Sequence, residues 1–167
     1  IRTGHVTESE MTDLANAAER FSHARLFIDD SVNLTPIEMR SRCRRIQAKL
    51  TQPLGLIVVD YLQLMSSGKR IDNRVQEVSD ISRTLKAVAR ELETPVIALS
   101  QLSRAPEQRT DRKPQLSDLR DSGAIEQDAD LVAFIHRQDY AGSGPGVPSG
   151  GGDTAELLIR KHRNGET

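Results

Sequence analysis

Apolar positions in this chain alternate between helical spacing and short continuous runs. Met11, Leu14, Ala15, Ala18 and Phe21 recur at helical intervals, and Leu26-Phe27-Ile28-Asp29-Asp30 then reads as a short strand. Thr35, Pro36 and Glu38 carry the pattern of a capping box with proline at the first helical position, opening a helix that runs to about Leu50. Within Leu54 to Met65 the run Leu56-Ile57-Val58-Val59 ends on Asp60, the pattern of a strand buried on both faces. Ser66 to Arg70 is a polar loop. Val75, Val78, Ile81, Leu85, Val88 and Leu92, spaced 3, 3, 4, 3 and 4, predict a long amphipathic helix. Pro95 to Gln101 is a second buried strand, and Ser103 to Leu119, with Pro106 and Pro114, an extended polar loop. Asp121 to Asp130 suggests a short helix, Leu131 to His136 a third buried strand, and Ala155 to Lys161 a last one. Between these last two strands, residues 142–152 form a flexible Gly-rich connector.

Strands that alternate with helices predict an α/β fold, a mostly parallel β-sheet flanked by helices. In open sheets of that kind ligands bind at the carboxyl ends of the strands. Asp60 and Gln101, 41 positions apart, are delivered to that edge. A carboxylate there can hold Mg²⁺ through water beside nucleotide phosphates, or it can simply cap a strand end; the pattern leaves both open. Gln101 can sense a terminal phosphate or an attacking water, or merely end its strand. Lys161, His162 and Arg163 follow the last strand. An Arg there can stabilise a transferring phosphoryl group from a neighbouring subunit, or be a solvated basic strand end. His162 has no Cys or acid partner at metal-ligand spacing.

The stretch from Arg104 to Gly123 sets Arg104, Arg109, Arg112, Lys113 and Arg120 against Glu107, Asp111, Asp118 and Asp121. It can track a phosphate backbone or serve as an ordinary solvated loop. The basic helix carrying Arg40, Arg42, Arg44, Arg45 and Lys49 reads as a solvent face or a subunit contact. No Gly-x-x-x-x-Gly-Lys-Ser/Thr loop occurs in the sequence, so a phosphate cradle of that type would have to come from elsewhere.

The 167 residues amount to one domain, and 37% hydrophobic with 28% charged residues suits a water-soluble globular chain. Net charge is −1, so any nucleic-acid contact must come from local patches. Three Phe, two Tyr and no Trp leave little for base stacking, which points to a grip on the backbone. No apolar run approaches the roughly 20 residues of a membrane span. The start at Ile1 resembles neither an initiator nor a signal peptide, and looks internal to a longer protein. A single Cys43 excludes internal disulfides and fits a reducing, cytoplasmic setting.

Five segments stand in one order: Ile57 to Met65; Ile97 to Arg104; Glu107-Gln108-Arg109; Asp118-Leu119-Arg120-Asp121-Ser122-Gly123 on to Asp130; and Lys161-His162-Arg163-Asn164-Gly165. In that order they resemble the C-terminal motor domain of the bacterial replicative DNA helicase, the DnaB family, over nearly the whole chain. The resemblance implies a RecA-like P-loop NTPase fold, here a partial domain over residues 1–167. It further implies ATP and Mg²⁺ as cofactors and a homo-hexamer moving 5′ to 3′ on single-stranded DNA at the replication fork, with primase and a helicase loader as partners. Position by position, Asp60 matches the Walker B aspartate and Gln101 the phosphate-sensing glutamine. Arg163 matches the arginine finger, with Lys161 its companion. Arg120, Asp121 and Gly123 match the DNA-holding loop, where Asp121 stands in place of the family's usual Glu. The family's P-loop Lys and Thr and its catalytic glutamate are expected upstream of Ile1, and the fragment alone is expected to be inactive. Two other readings are open: a non-catalytic DNA- or protein-binding scaffold on the same fold, and a recombinase-type or repair motor. The Asp60-to-Met65 and Arg163-Asn164-Gly165 segments count against the last.

Overall fold

The computed structural model describes residues 6–103, 113–119, 123–137 and 155–166. It divides into two compact units, Ile1–Ser31 and Val32–Thr167. In the first unit, α1 (Glu8–His23) is opened by a capping box in which Thr7 N–H donates to Glu10 at 2.8 Å and Glu10 N–H donates to Thr7 Oγ1 at 3.3 Å. The helix has no buried residue. The strand expected over residues 26–30 is not there, and Leu26, Phe27 and Ile28 are exposed outside any sheet. Apolar, β-branched composition favours extended backbone, but a strand exists only where a neighbour accepts and returns its hydrogen bonds.

Among the described residues, the second unit is built on two long helices, a short one and two short sheets. The expected capping box opens α2 (Pro36–Gln47): Thr35 N–H donates to Glu38 Oε2 at 2.9 Å, and Glu38 N–H returns to Thr35 Oγ1 at 3.2 Å. The helix ends at Gln47, a turn short of expectation. Two of its arginines, Arg40 and Arg44, pair with Glu91 at 3.2 and 2.5 Å, so part of the basic face ties α2 to α3 (Arg74–Glu91). Exposed pairs of this kind contribute about 0–1 kcal/mol each.

Asn73 caps α3, its side chain accepting from Val75 N–H at 2.9 Å. The helix buries Val78, Ile81, Ser82, Leu85 and Val88, most of the predicted stripe; Val75, in the first turn, is exposed. Its end is a Schellman motif: Glu93 N–H donates to Arg90 O and Thr94 N–H to Ala89 O, with Glu93 at φ +50° where glycine is usual. The buried Thr94 hydroxyl then hydrogen-bonds Leu92 O and Leu54 O, at 2.9 and 3.2 Å, fixing where the next strand starts.

Strands β1 (Ile57–Val59) and β2 (Val96–Ala98) pair in parallel, Ile57 beside Val96 and Val59 beside Ala98. Ile57, Leu62 and Met65 pack with Met39 and Cys43 of α2 and with Ile81, Leu85, Val88 and Leu92, and this is the main core. The expectation of burial on both faces fails here. Val58 is 57% and Ile97 49% exposed, because α2 and α3 cover one face of the pair and no described element covers the other.

A helix of six residues, α4 (Gly123–Asp128), leads into β3 (Leu131–His136), which pairs with β4 (Glu156–His162). This second sheet is antiparallel, so among the described strands one pair is parallel and one is not, rather than a single mostly parallel sheet. Leu119, Val132 and Phe134 form its core, and Ile125 of α4 packs against both cores. The connector at 142–152 lies outside the described residues.

Replacing Ile81, which has no exposed surface, by Ala should cost about 2–5 kcal/mol through lost burial and the cavity left behind. Glu93→Gly should act in the opposite direction, raising stability by about 1 kcal/mol by relieving the left-handed backbone. Denaturant unfolding of the two variants checks both signs.

Candidate functional site

Asp60 follows β1 directly and Gln101 stands three residues beyond β2, both exposed at the carboxyl edge of the parallel pair, as predicted. Backbone bonds continue past the strands, Leu99 N–H to Val59 O and Leu62 N–H to Leu99 O, both at 2.9 Å, and these hold the two exits side by side. Gln63 completes the junction. Its side-chain amide donates to Ser100 Oγ at 3.1 Å and its side-chain carbonyl accepts from Gln101 N–H at 3.3 Å, while Arg74, first residue of α3, donates to its backbone carbonyl at 2.8 Å. The Gln63 side chain thus fixes the backbone that presents Gln101. Nothing in the sequence singles Gln63 out, since an amide within an apolar stretch carries no signal of its own.

Lys161 and Arg163 lie on the other sheet. A β-bulge decides where Lys161 goes. Val132 opposes Lys161 but Ala133 opposes Ile159, leaving Arg160 as an extra residue in β4. Strict alternation would put Lys161 on the face of Leu157 and Ile159, which is exposed; the extra residue turns it to the side of buried Val132. There its ammonium donates to the carbonyl of Glu126 and, at 3.5 Å, to that of Gln127. Arg163 donates to the same Gln127 carbonyl at 2.8 Å. Both cations therefore sit at the C-terminal end of α4, where unpaired carbonyls and the helix dipole favour positive charge.

Arg163 is held further by Asp130. Its backbone N–H donates to Asp130 O at 2.8 Å and its guanidinium lies 3.1 Å from Oδ1, while Lys86 of α3 pairs with Oδ2. The Lys86 hydrogen bond holds the Asp130 carboxyl below the ordinary carboxylate range; burial opposes it, and the charges of Lys86, Arg163 and Arg90 add smaller contributions in the same direction as the hydrogen bond. A lowered folded value means the contribution to stability is present above the unfolded value of about 3.9 and is lost as pH falls through the folded one. At neutral pH the network is intact. In the turn after β4, a Cβ on Gly165 would collide with His162 Nδ1, so a larger residue there requires the exposed imidazole to move.

The predicted DNA-holding loop is described only at its edges. Arg120 and Asp121 lie outside the described residues, as do Arg104, Glu107, Arg109, Asp111 and Arg112. Gly123 is the first residue of α4, and a Cβ there would meet nothing within 4 Å. On the entry side Asp118 is buried, accepting from Gln115 N–H at 2.8 Å, with its carbonyl bonded to Ser103 N–H at 2.9 Å. The structure thus gathers the predicted residues in two groups: Asp60 and Gln101 at one sheet, and Lys161 and Arg163 at the other beside α4. Asp130, one acid among several in its stretch, joins the second group unannounced by the sequence.

Among the described residues no three His, Cys, Asp or Glu side chains gather into a metal cage. A lone exposed carboxylate at a strand end suits Mg²⁺, which keeps most of its waters and takes one or two carboxylates plus substrate phosphates. No described helix is long and apolar enough to cross a membrane.

The family model described as DnaB-like helicase C terminal domain matches residues 1–167. The chain is 53% identical over 167 residues to the replicative DNA helicase DnaB of Mycobacterium leprae (strain TN), covering 100% of this chain and 27% of that protein. To the replicative DNA helicase DnaB of Geobacillus stearothermophilus it is 50% identical over 166 residues, covering 99% of the chain and 35% of the relative. Among solved structures, a DnaB-like replicative helicase, solved in a study of its interactions with primase, matches with a TM-score of 0.86 at 38% identity, over 99% of this chain and 39% of that one. A second solved structure, of an ATPase domain, matches with a TM-score of 0.87 at 39% identity, over 99% and 56%. The chain thus spans about a third or less of the length of these curated relatives.

Substituting Gln63 by Leu strips two partners from the strand exits and should cost about 1–3 kcal/mol. Hydrogen exchange at the Gln101 amide should accelerate while the amide of Leu99, bonded to Val59, stays protected. Equal acceleration at both would mean that Gln63 does not act locally.

Proposed function

This chain belongs to the family of DnaB-like helicase C-terminal domains, and on that premise we propose that it is the motor segment of an ATP-dependent replicative DNA helicase. The parent protein assembles as a homo-hexamer, translocates 5′ to 3′ on single-stranded DNA and unwinds duplex DNA at the replication fork, in the cytoplasm, with primase and a helicase loader as partners. The short parallel pair β1–β2 is read as part of a larger, mostly parallel RecA-like sheet. The uncovered apolar side chains of Val58 and Ile97 support that reading.

One observation carries the proposal: the residues suited to phosphate chemistry fall into two groups on separate sheets. Asp60 and Gln101 share the edge of one sheet, and the cations of the other are held at the end of α4 with Arg163 still 42% exposed. This division suits an ATP site completed across a subunit boundary, one subunit offering the Asp60 edge and its neighbour offering Arg163. Asp60 would hold Mg²⁺ through water, and the ion would neutralise charge on the β- and γ-phosphates. Gln101, its backbone fixed by Gln63, hydrogen-bonds the terminal phosphate or orients the attacking water. Arg163 from the neighbour meets the charge that develops on the γ-phosphoryl group, and Lys161 steadies the same corner. Residues Arg120, Asp121 and Gly123 hold the DNA backbone, so release at the ATP site moves the strand along.

The test is ATP turnover by the longer parent protein with and without single-stranded DNA. Turnover stimulated by DNA, and severely lowered in Arg163→Ala with assembly intact, is the expected result. Loss of one to several powers of ten in kcat is the scale for removing such a cation. A folded, assembled parent with no turnover under either condition would transfer the reading to a non-catalytic scaffold, and normal DNA-stimulated turnover in Arg163→Ala would remove the finger assignment.

A further inference from the structure

Arg163 is useful as a transition-state cation only if its guanidinium is in place when charge develops. An arginine side chain free to sample its rotamers must give up that conformational freedom at that moment. Here the freedom is already restricted. The Arg163 backbone is pinned to Asp130 O at 2.8 Å, one guanidinium nitrogen to Gln127 O at 2.8 Å, and the other stands 3.1 Å from Asp130 Oδ1. A guanidinium has five N–H donors, more than these contacts use, so its role toward a phosphate is not cancelled.

We propose that Asp130 is a positioning residue for Arg163: by dividing its two carboxylate oxygens between Arg163 and Lys86 of α3, it fixes the guanidinium beside the end of α4. The proposal rests on the reading of Arg163 as the cation supplied to a neighbour's ATP site. It extends that reading in two ways. Lys86 belongs to the same helix that supports the Asp60 edge through Arg74 and Gln63, so one rigid element sets both groups. The anchoring carbonyl of Gln127 belongs to α4, whose first residue, Gly123, ends the proposed DNA-holding loop. The helix that begins where that loop ends is therefore the one that holds the guanidinium. Lys161, bonded to Glu126 O, is carried on the same helix end.

The experiment compares Asp130→Asn, Lys86→Met, Arg163→Ala and the double variant Asp130→Asn with Arg163→Ala in the assembled full-length parent, measuring kcat and KM for ATP with saturating single-stranded DNA. Asn keeps the volume of Asp130 but offers an amide N–H where an acceptor stood. The expected result for Asp130→Asn is kcat lowered about tenfold to a hundredfold, the range for a misplaced group, with KM for ATP unchanged. The double variant should be no slower than Arg163→Ala alone, since Asp130 acts only through that side chain. If Asp130→Asn fails to assemble, Lys86→Met carries the test, because an unbalanced carboxylate should also lower kcat at unchanged KM. Wild-type kcat in whichever of these variants assembles, with Arg163→Ala slowed, overturns the positioning role and leaves the finger reading standing. Full turnover in Arg163→Ala removes the finger reading and the positioning role with it. A Lys86→Met or Asp130→Asn effect confined to KM, or a double variant slower than Arg163→Ala, shows a merely structural contribution and also overturns the proposal.

Discussion

Seating the apolar stripe of α3 is the constraint on which the rest of the second unit depends. Val78, Ile81, Leu85 and Val88 are buried along one side of that helix, and each aliphatic side chain so placed contributes about 1.5–3 kcal/mol relative to exposure. With the helix fixed in rotation, its polar positions are fixed too. Arg74 at its first turn points at the Gln63 carbonyl, and Lys86, further along the same helix, meets Asp130. A hydrophobic periodicity thus sets the bearing of two polar contacts well separated along the helix. Neither contact could hold its geometry on a helix free to roll.

The two short sheets meet this helix differently. The parallel pair lies directly on it through Ile57 and is uncovered opposite, whereas the antiparallel pair reaches it through α4. Ile125 stands in both apolar clusters and is the packing link between them. On the outer side of the second sheet, Ile135 is 75% and Leu157 67% exposed, directly across from each other. With Leu131 and Ile159 also exposed, this side of the sheet is apolar where the opposite side carries the Val132–Phe134 core.

What could be read in the sequence was whatever local chemistry decides. The Thr35–Glu38 box, the α3 stripe and the placing of Asp60 and Gln101 just past two apolar runs depend on neighbours in the chain, and the structure has them there. Burial on both faces of β1 did not follow, because an apolar run records what a strand would tolerate and not what lies against it. Residues 26–30 show the same limit: they have the composition of a strand without a sheet to join. The direction of β4 and its extra residue at Arg160 are set by register with β3, and Leu157-Leu158-Ile159 offers no alternation from which to infer either. The roles of Gln63 and Asp130 are illegible in the sequence for a simpler reason. Each looks like a common polar residue until the fold sets it against a partner 37 and 33 positions away.

The antiparallel register of β3 and β4 also separates two ends of one hairpin. At one end Leu131 faces His162, next to Arg163; at the other His136 faces Glu156. At about 3.4 Å per residue these ends are on the order of 17 Å apart. The chain leaves β3 and re-enters β4 at the far end, so a reporter attached beside His136 or Glu156 stands clear of Arg163, whereas a single insertion near Arg160 would rotate Lys161 out of the site.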